Sequence, residues 1–230
     1  MFNRIAIAVA ILCLAACAAP RPRPITRPLP PHAILQALPA PGEYPIDSSG
    51  SELRLLVYRA GPLANLGHNH VMVNRAVTGR VQVGADVASS SFSLSMRAEG
   101  FVIDDAQSRQ EEGGDFPGDI PEDAKTGTRR NMLSGAVLNA AEFPDITVKS
   151  VSLTGTLGEL NADLAISAAG HTSRLSVPLA LQGDTDGFTA LGSMELRQTA
   201  LGLIPYSLMH GALQVQDAMQ LKFKFKVSTN

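Results

Sequence analysis

Two histidines one residue apart, His68 and His70, form the pair in this chain most suggestive of chemistry. On an extended strand they share a face. With a third imidazole from elsewhere, such as His210, they could ligate a metal. Following Gly67, they could instead hydrogen-bond a loop backbone or touch the polar head of a ligand. A single H-x-H does not choose between these uses, so the three histidines stand only as metal candidates. His171 follows Gly170 and His210 precedes Gly211. Nucleophilic catalysis finds no support: there is no G-x-S-x-G elbow, no Gly-rich phosphate loop, and no partner motif for the carboxylates. No catalytic residue and no cofactor is assigned, and the chain reads as a non-enzyme.

The other chemically special residue is Cys17. Arg4 is the only charge before residue 21, and an apolar run follows from Ile5 to Leu14. Ten apolar residues are too few to span a bilayer as a helix, which takes about 20. A basic start and a short apolar core read as an export signal. The run ends in Leu14-Ala15-Ala16-Cys17, which resembles a bacterial lipobox, where the cysteine is diacylated and becomes the new N-terminus. The competing reading is an ordinary signal peptide with an incidental cysteine. Ala18 rather than aspartate follows Cys17, which points to the outer membrane. Cys13 lies inside the discarded run, so thiol catalysis, disulfides and cysteine metal sites are unexpected. Two or more acyl chains make a stable anchor where one is marginal.

The elements that carry these residues divide into three. Residues 1–16 read as signal peptide and 17–41 as lipidated cysteine and Pro-rich tether. Eight of the 15 prolines fall between positions 18 and 41, with Arg21, Arg23 and Arg27 and no acid. Such density favours extended polyproline II. Residues 42–230 then form the domain. The overall charge of −2 is an average over unlike pieces, because the part from Gly42 onward carries 15 basic and 21 acidic residues. That balance excludes a basic nucleic-acid binder. With 45% hydrophobic residues and two cysteines, the chain is neither disordered nor a disulfide scaffold.

From Tyr44 onward the dominant period is two. Met219, Leu221, Phe223, Phe225 and Val227 alternate with polar residues, including three lysines. The same pattern recurs in segments around Leu53, Phe92, Leu164, Leu175 and Met194. About eight strands are counted, each with one apolar and one wet face. Such strands must stack or close on themselves, and closure removes the edges. A barrel of about eight strands can hold one small ligand. Pro178 lacks an N–H, so its strand should bulge or open there. A phase change between Val148 and Val151 should mark another bulge. The eight acids between Asp104 and Asp123 read as a solvated loop or a mobile lip over the barrel mouth. A helix is expected from Pro121 to about Ser134, with a turn or second short helix over Ala136–Ala141.

Four motifs make the domain resemble the YceI-like lipid-binding family. Tyr44-Pro45-Ile46-Asp47 with Ser51 looks like its Y-x-I-D-x-x-x-S. Phe143-Pro144-Asp145-Ile146-Thr147-Val148-Lys149-Ser150 is similar to F-P-x-I-x-F-K-S. Val177-Pro178-Leu179 matches V-P-V, and Gly202-Leu203-Ile204-Pro205 with Asp217 matches G-I-x-P and a closing aspartate. The pattern departs at Ala200-Leu201, where the family often has an aromatic before the glycine. Gly67-His68-Asn69-His70 typifies only a subset of relatives. The resemblance implies an extended, lipocalin-like antiparallel β-barrel, with a short helical insertion here, that takes long apolar molecules such as polyisoprenoids or fatty amides.

The expected lumen residues are Phe92, Leu94, Met96, Leu164, Ile166, Leu175, Val177, Leu179, Met194, Leu196, Leu221, Phe223 and Phe225. Ala162, Ala190 and Gly192 are small enough to leave room among them. The competing possibility is that these side chains pack a solid core. The expected function is binding of a polyisoprenoid or related lipid for storage, shielding or transport. The expected place is the periplasm, attached through Cys17. The alternatives are a metal-binding envelope protein using His68 and His70, and a ligand-free interaction module. Oligomeric state is left open.

Overall fold

Where the sequence alternates, the chain is extended. The computed structural model describes residues 33–229, so Cys17, the export signal and most of the Pro-rich segment lie outside the described residues. In chain order the elements are β1 (Gly42–Val57), β2 (Arg59–Ala60), β3 (His70–Asn74), β4 (Thr78–Val83), β5 (Ser91–Arg97) and β6 (Phe101–Ile103). Two helices follow, α1 (Ala106–Glu112) and α2 (Glu122–Leu133). The second half is β7 (Asp145–Thr156), β8 (Glu159–Ala168), β9 (His171–Asp184), β10 (Gly187–Arg197), β11 (Ser207–Leu208), β12 (Leu213–Val215) and β13 (Ala218–Ser228).

Eight of these strands close an antiparallel barrel. The order β4-β5-β7-β8-β9-β10-β13 is completed by β1, which pairs with both β13 and β4. Strand β1 is 16 residues long, and its two halves have different neighbours. Gly42–Pro45 pair with Val83–Arg80, whereas Leu53–Val57 pair with Asn74–His70 of β3. The switch happens at a register shift between Asp47 and Glu52 against β13. Asp47 accepts from the Ser49 backbone and hydroxyl at 2.9 and 2.6 Å. Ser51 donates to the Asp47 carbonyl at 2.7 Å and accepts the Lys226 N–H at 3.0 Å. The opening motif therefore builds a β-bulge, which bends the strand from one neighbour to the next.

Both sequence irregularities have structural counterparts. The β7–β8 register shifts between Ser150 and Ser152, and the Ser150 hydroxyl accepts the Phe92 N–H at 2.8 Å. At Pro178 the ladder to β10 stops: β9 pairs with β10 only from Asp184 to Ala180, although β8 pairs with β9 through Pro178 to His171. With no N–H to donate, Pro178 turns its donor-less edge toward β10.

Two regions differ from expectation. The acidic stretch is not a solvated loop or free lip. It contains α1, capped by Asp105, whose carboxylate accepts the Ser108 N–H at 3.0 Å. Arg54 reaches out from β1 to Glu111 and Glu112 at 2.7 and 2.8 Å, and Lys222 of β13 also pairs with Glu112. Phe116 and Ile120 are buried. The end of the expected tether is also docked: Ile34 bridges to Gln182, the Leu35 N–H donates to the Leu181 carbonyl at 2.8 Å, and Leu38 packs on the core. Helix α2 forms close to its expected span.

Candidate functional site

The inward faces of the eight strands enclose one cavity of about 440 Å³. That lies within the range of pockets that take small-molecule ligands, roughly 300–1,000 Å³. All thirteen expected lumen residues line it, from Phe92, Leu94 and Met96 on β5 to Leu221, Phe223 and Phe225 on β13. Leu53, Leu55 and Val57 of β1 join them, with Leu38 from the docked segment. The three small residues behave differently. Ala190 lines the cavity, but Ala162 is fully buried and does not. Gly192 yields its space to a side chain, because a Cβ there would run into the Phe223 ring and come 2.7 Å from the Pro178 carbonyl.

The lumen has two unlike ends. Its lower end is where β1 begins and β13 finishes. There the lining is apolar (Leu38, Val83, Val87, Leu181, Phe188, Val227) apart from Ser90. The upper end is where β1 finishes and β13 begins. The polar lining groups gather there: Arg59, His68, His70, Thr128, Asn131, Gln198, Tyr206 and Gln214. Helix α2 supplies Thr128 and Asn131 and is fastened by Arg129, whose guanidinium donates to the Phe101 and Glu99 carbonyls. Leu208 lines the cavity yet stays exposed, beside exposed Met209.

His70 is the most elaborately held of the polar residues. Its Nδ1 lies 2.6 Å from Asp104 Oδ2, and its Nε2 lies 3.4 Å from the Thr128 hydroxyl. Asp104 is 1% exposed. Its other oxygen accepts the Val71 N–H at 2.8 Å and Arg109 Nη1 at 2.7 Å. Burial alone would raise this carboxyl; the donors from His70, Val71 and Arg109 outweigh it and hold Asp104 below the usual carboxylate range. Arg109 is itself buried. It donates to the carbonyls of Asn69, Pro117 and Gly118 and stands 5.9 Å from the centre of the Phe116 ring.

The histidines separate by role. His68 and His70 both line the cavity, with ring centres 6.3 Å apart. His210 sits in the turn between β11 and β12 with φ of 54° and does not join them. Among the described residues, no group of three or more His, Cys, Asp or Glu side chains is placed to hold a metal ion. The residue that sequence reasoning missed is Asp104. Its signal is the β3–β6 register, in which Met72 faces Ile103, so that the residue after β6 meets the start of β3. Asp104 takes φ of 55°, a left-handed turn that aspartate tolerates better than most side chains.

The described residues thus form a closed antiparallel barrel around an apolar lumen of ligand size, with all its polar lining groups but Ser90 at one mouth. The family model described as the YceI-like domain matches residues 44–227, and the chain belongs to that family. Solved structures share the fold. BcnA of Burkholderia cenocepacia is 14% identical with a TM-score of 0.58, covering 80% of this chain and 99% of its own. A polyisoprenoid-binding domain from Saccharophagus degradans is 8% identical with a TM-score of 0.53, covering 81% and 98%. A Campylobacter jejuni YceI protein is 6% identical at a TM-score of 0.50, covering 69% and 85%. No curated protein sequence matches the chain.

Of the motif residues, Ile46, Ile146, Val148, Val177, Leu179 and Leu203 line the lumen, whereas Asp47, Ser51, Phe143 and Asp217 sit at corners of the barrel. Asp47 and Ser51 build the β1 bulge. Phe143 covers Gly170, where a Cβ would come within 2.7 Å of its ring. Asp217 accepts the Thr199 N–H and hydroxyl at 2.9 and 2.8 Å. The corner contacts fix the barrel and leave the polar end of the lumen to other positions.

Proposed function

We propose that this protein holds one long apolar molecule, a polyisoprenoid or related lipid, in the barrel lumen, and stores, shields or carries it in the bacterial cell envelope. The single observation that carries the reading is the continuous apolar cavity of about 440 Å³ inside a closed barrel. Each methylene moved from water into such a lining is worth about 0.8 kcal/mol, so a chain of several isoprene units binds with few polar contacts. Its family and the polyisoprenoid-binding neighbour support binding rather than catalysis. The expected partners are an apolar lipid and, through an acylated Cys17, a membrane; the acidic domain does not suit nucleic acid. The expected location is the periplasm, on the outer membrane.

Ala190 lies on the cavity wall, so Ala190→Trp would put an indole into the lumen. A fluorescent polyene alcohol should bind the parent protein and bind the variant about tenfold or more weakly, with the circular dichroism of the barrel unchanged. Equal binding by both would remove the lumen from the account. Cells fed a radiolabelled fatty acid should label the parent protein and not Cys17→Ala; equal labelling of both, or of neither, contradicts the anchor.

A further inference from the structure

Resting on the lumen reading above, we infer that the upper end of the barrel is a headgroup site built around His70, and that it selects a neutral hydroxyl on the end of an apolar chain. Asp104 is an acceptor only, so the His70 nitrogen facing it, Nδ1, carries the proton. The other ring nitrogen of a neutral imidazole is then an acceptor. That atom, Nε2, belongs to a residue that lines the cavity, and the Thr128 hydroxyl is beside it at 3.4 Å. At that distance the Thr128 contact leaves Nε2 underused. A ligand group that donates an O–H would complete it.

The surrounding charges decide against an anionic head. Asp104 is fully enclosed, with both oxygens engaged by His70, Val71 and Arg109. Arg109, the nearest cation, is spent on Asp104 and on three backbone carbonyls. Arg59, which also lines the cavity, donates to the Gly67 carbonyl at 2.6 Å. Among the described residues, the polar partners of His70 are Asp104 and Thr128, neither of which supplies a cation for a phosphate or carboxylate. The buried ion pair acts instead as a brace. It fixes the ring orientation and tautomer, much as a carboxylate behind an imidazole does in other sites. His70 is therefore a specificity residue, and Asp104 and Arg109 are positioning residues.

The test compares three probes that share one chain: farnesol, its methyl ether and farnesyl phosphate, titrated calorimetrically into the full-length protein. Farnesol should bind about tenfold tighter than the ether, because the ether leaves a desolvated acceptor without a donor. It should also bind tighter than the phosphate. In His70→Phe the alcohol-to-ether ratio should fall to within about twofold while ether affinity is kept. A purely structural role for His70 would weaken both ligands together and leave the ratio intact. Equal affinity of alcohol and ether for the parent protein overturns the inference without any variant, as does a preference for the phosphate. Ether binding in the same series keeps the lumen reading standing when the headgroup reading fails. If none of the three probes binds, both fall.

Discussion

Asp104 and His70 show how a residue pair can be half visible from the sequence. The H-x-H spacing marks His70 as chemically interesting, and only the β3–β6 pairing brings the carboxylate to it. Asp104 lies 34 positions further on, inside a stretch whose composition reads as solvated. Nothing local distinguishes it from the seven acids around it, because its burial is made by tertiary contact. Removing it should be costly. Asp104→Ala strands the buried Arg109 guanidinium and should destabilise the fold by roughly 3–5 kcal/mol in denaturant titration. The acid limb of stability follows from the same group. Its carboxyl is held below its ordinary value of 3.8 when folded, so its contribution is present above that value and is lost as pH falls through the lower folded value. Stability measured from pH 5 downward should drop more steeply in the parent than in Asp104→Asn; equal slopes would contradict the assignment.

At the scale of elements, the strands were legible and α1 was not. Strand alternation is a local signal of period two, and it survives folding because one face meets the lumen and the other meets water. The ladder break at Pro178 and the Ser150–Ser152 bulge were readable from the sequence, the first from a missing N–H and the second from a change of phase. Helix α1 has seven residues, too few to be stable by propensity. It exists because its Asp105 cap and the bridge from Arg54 to Glu111 and Glu112 hold it against β1. Burial pulls the Arg54 pKa down, but the carboxylates outweigh it and raise the value further above the usual range. Arg54→Met should therefore release α1, leaving mostly buried Glu112 with one cation fewer. Amide exchange over residues 106–112 should speed up by at least tenfold, and global stability should fall by about 1–3 kcal/mol. Unchanged protection of those amides would show that the bridge does not hold the helix. The docking of Ile34 and Leu35 was hidden for a related reason. A proline-rich composition describes most of that segment, whereas the few apolar residues at its end find a partner only on the assembled barrel.

For the whole molecule, the sequence alternation indicated an apolar interior without saying whether it was hollow. Thirteen expected lumen residues line one cavity, yet the reason for the space is not the small residues alone. Gly192 admits the Phe223 ring, and that ring stacks on Phe225 with centres 5.3 Å apart. The hollow follows from closing eight strands around side chains that do not meet across the axis. An apolar cavity of this kind either stays dry or takes an apolar guest, and the account here is that it takes one. The most direct measurement is native mass spectrometry of the full-length protein purified from its own cells, followed by solvent extraction of what it holds. The account predicts a complex of one polypeptide with one apolar-chain molecule, recovered in the extract and lost in Ala190→Trp. A bare polypeptide mass with no extractable lipid, in a protein whose barrel is intact, contradicts it.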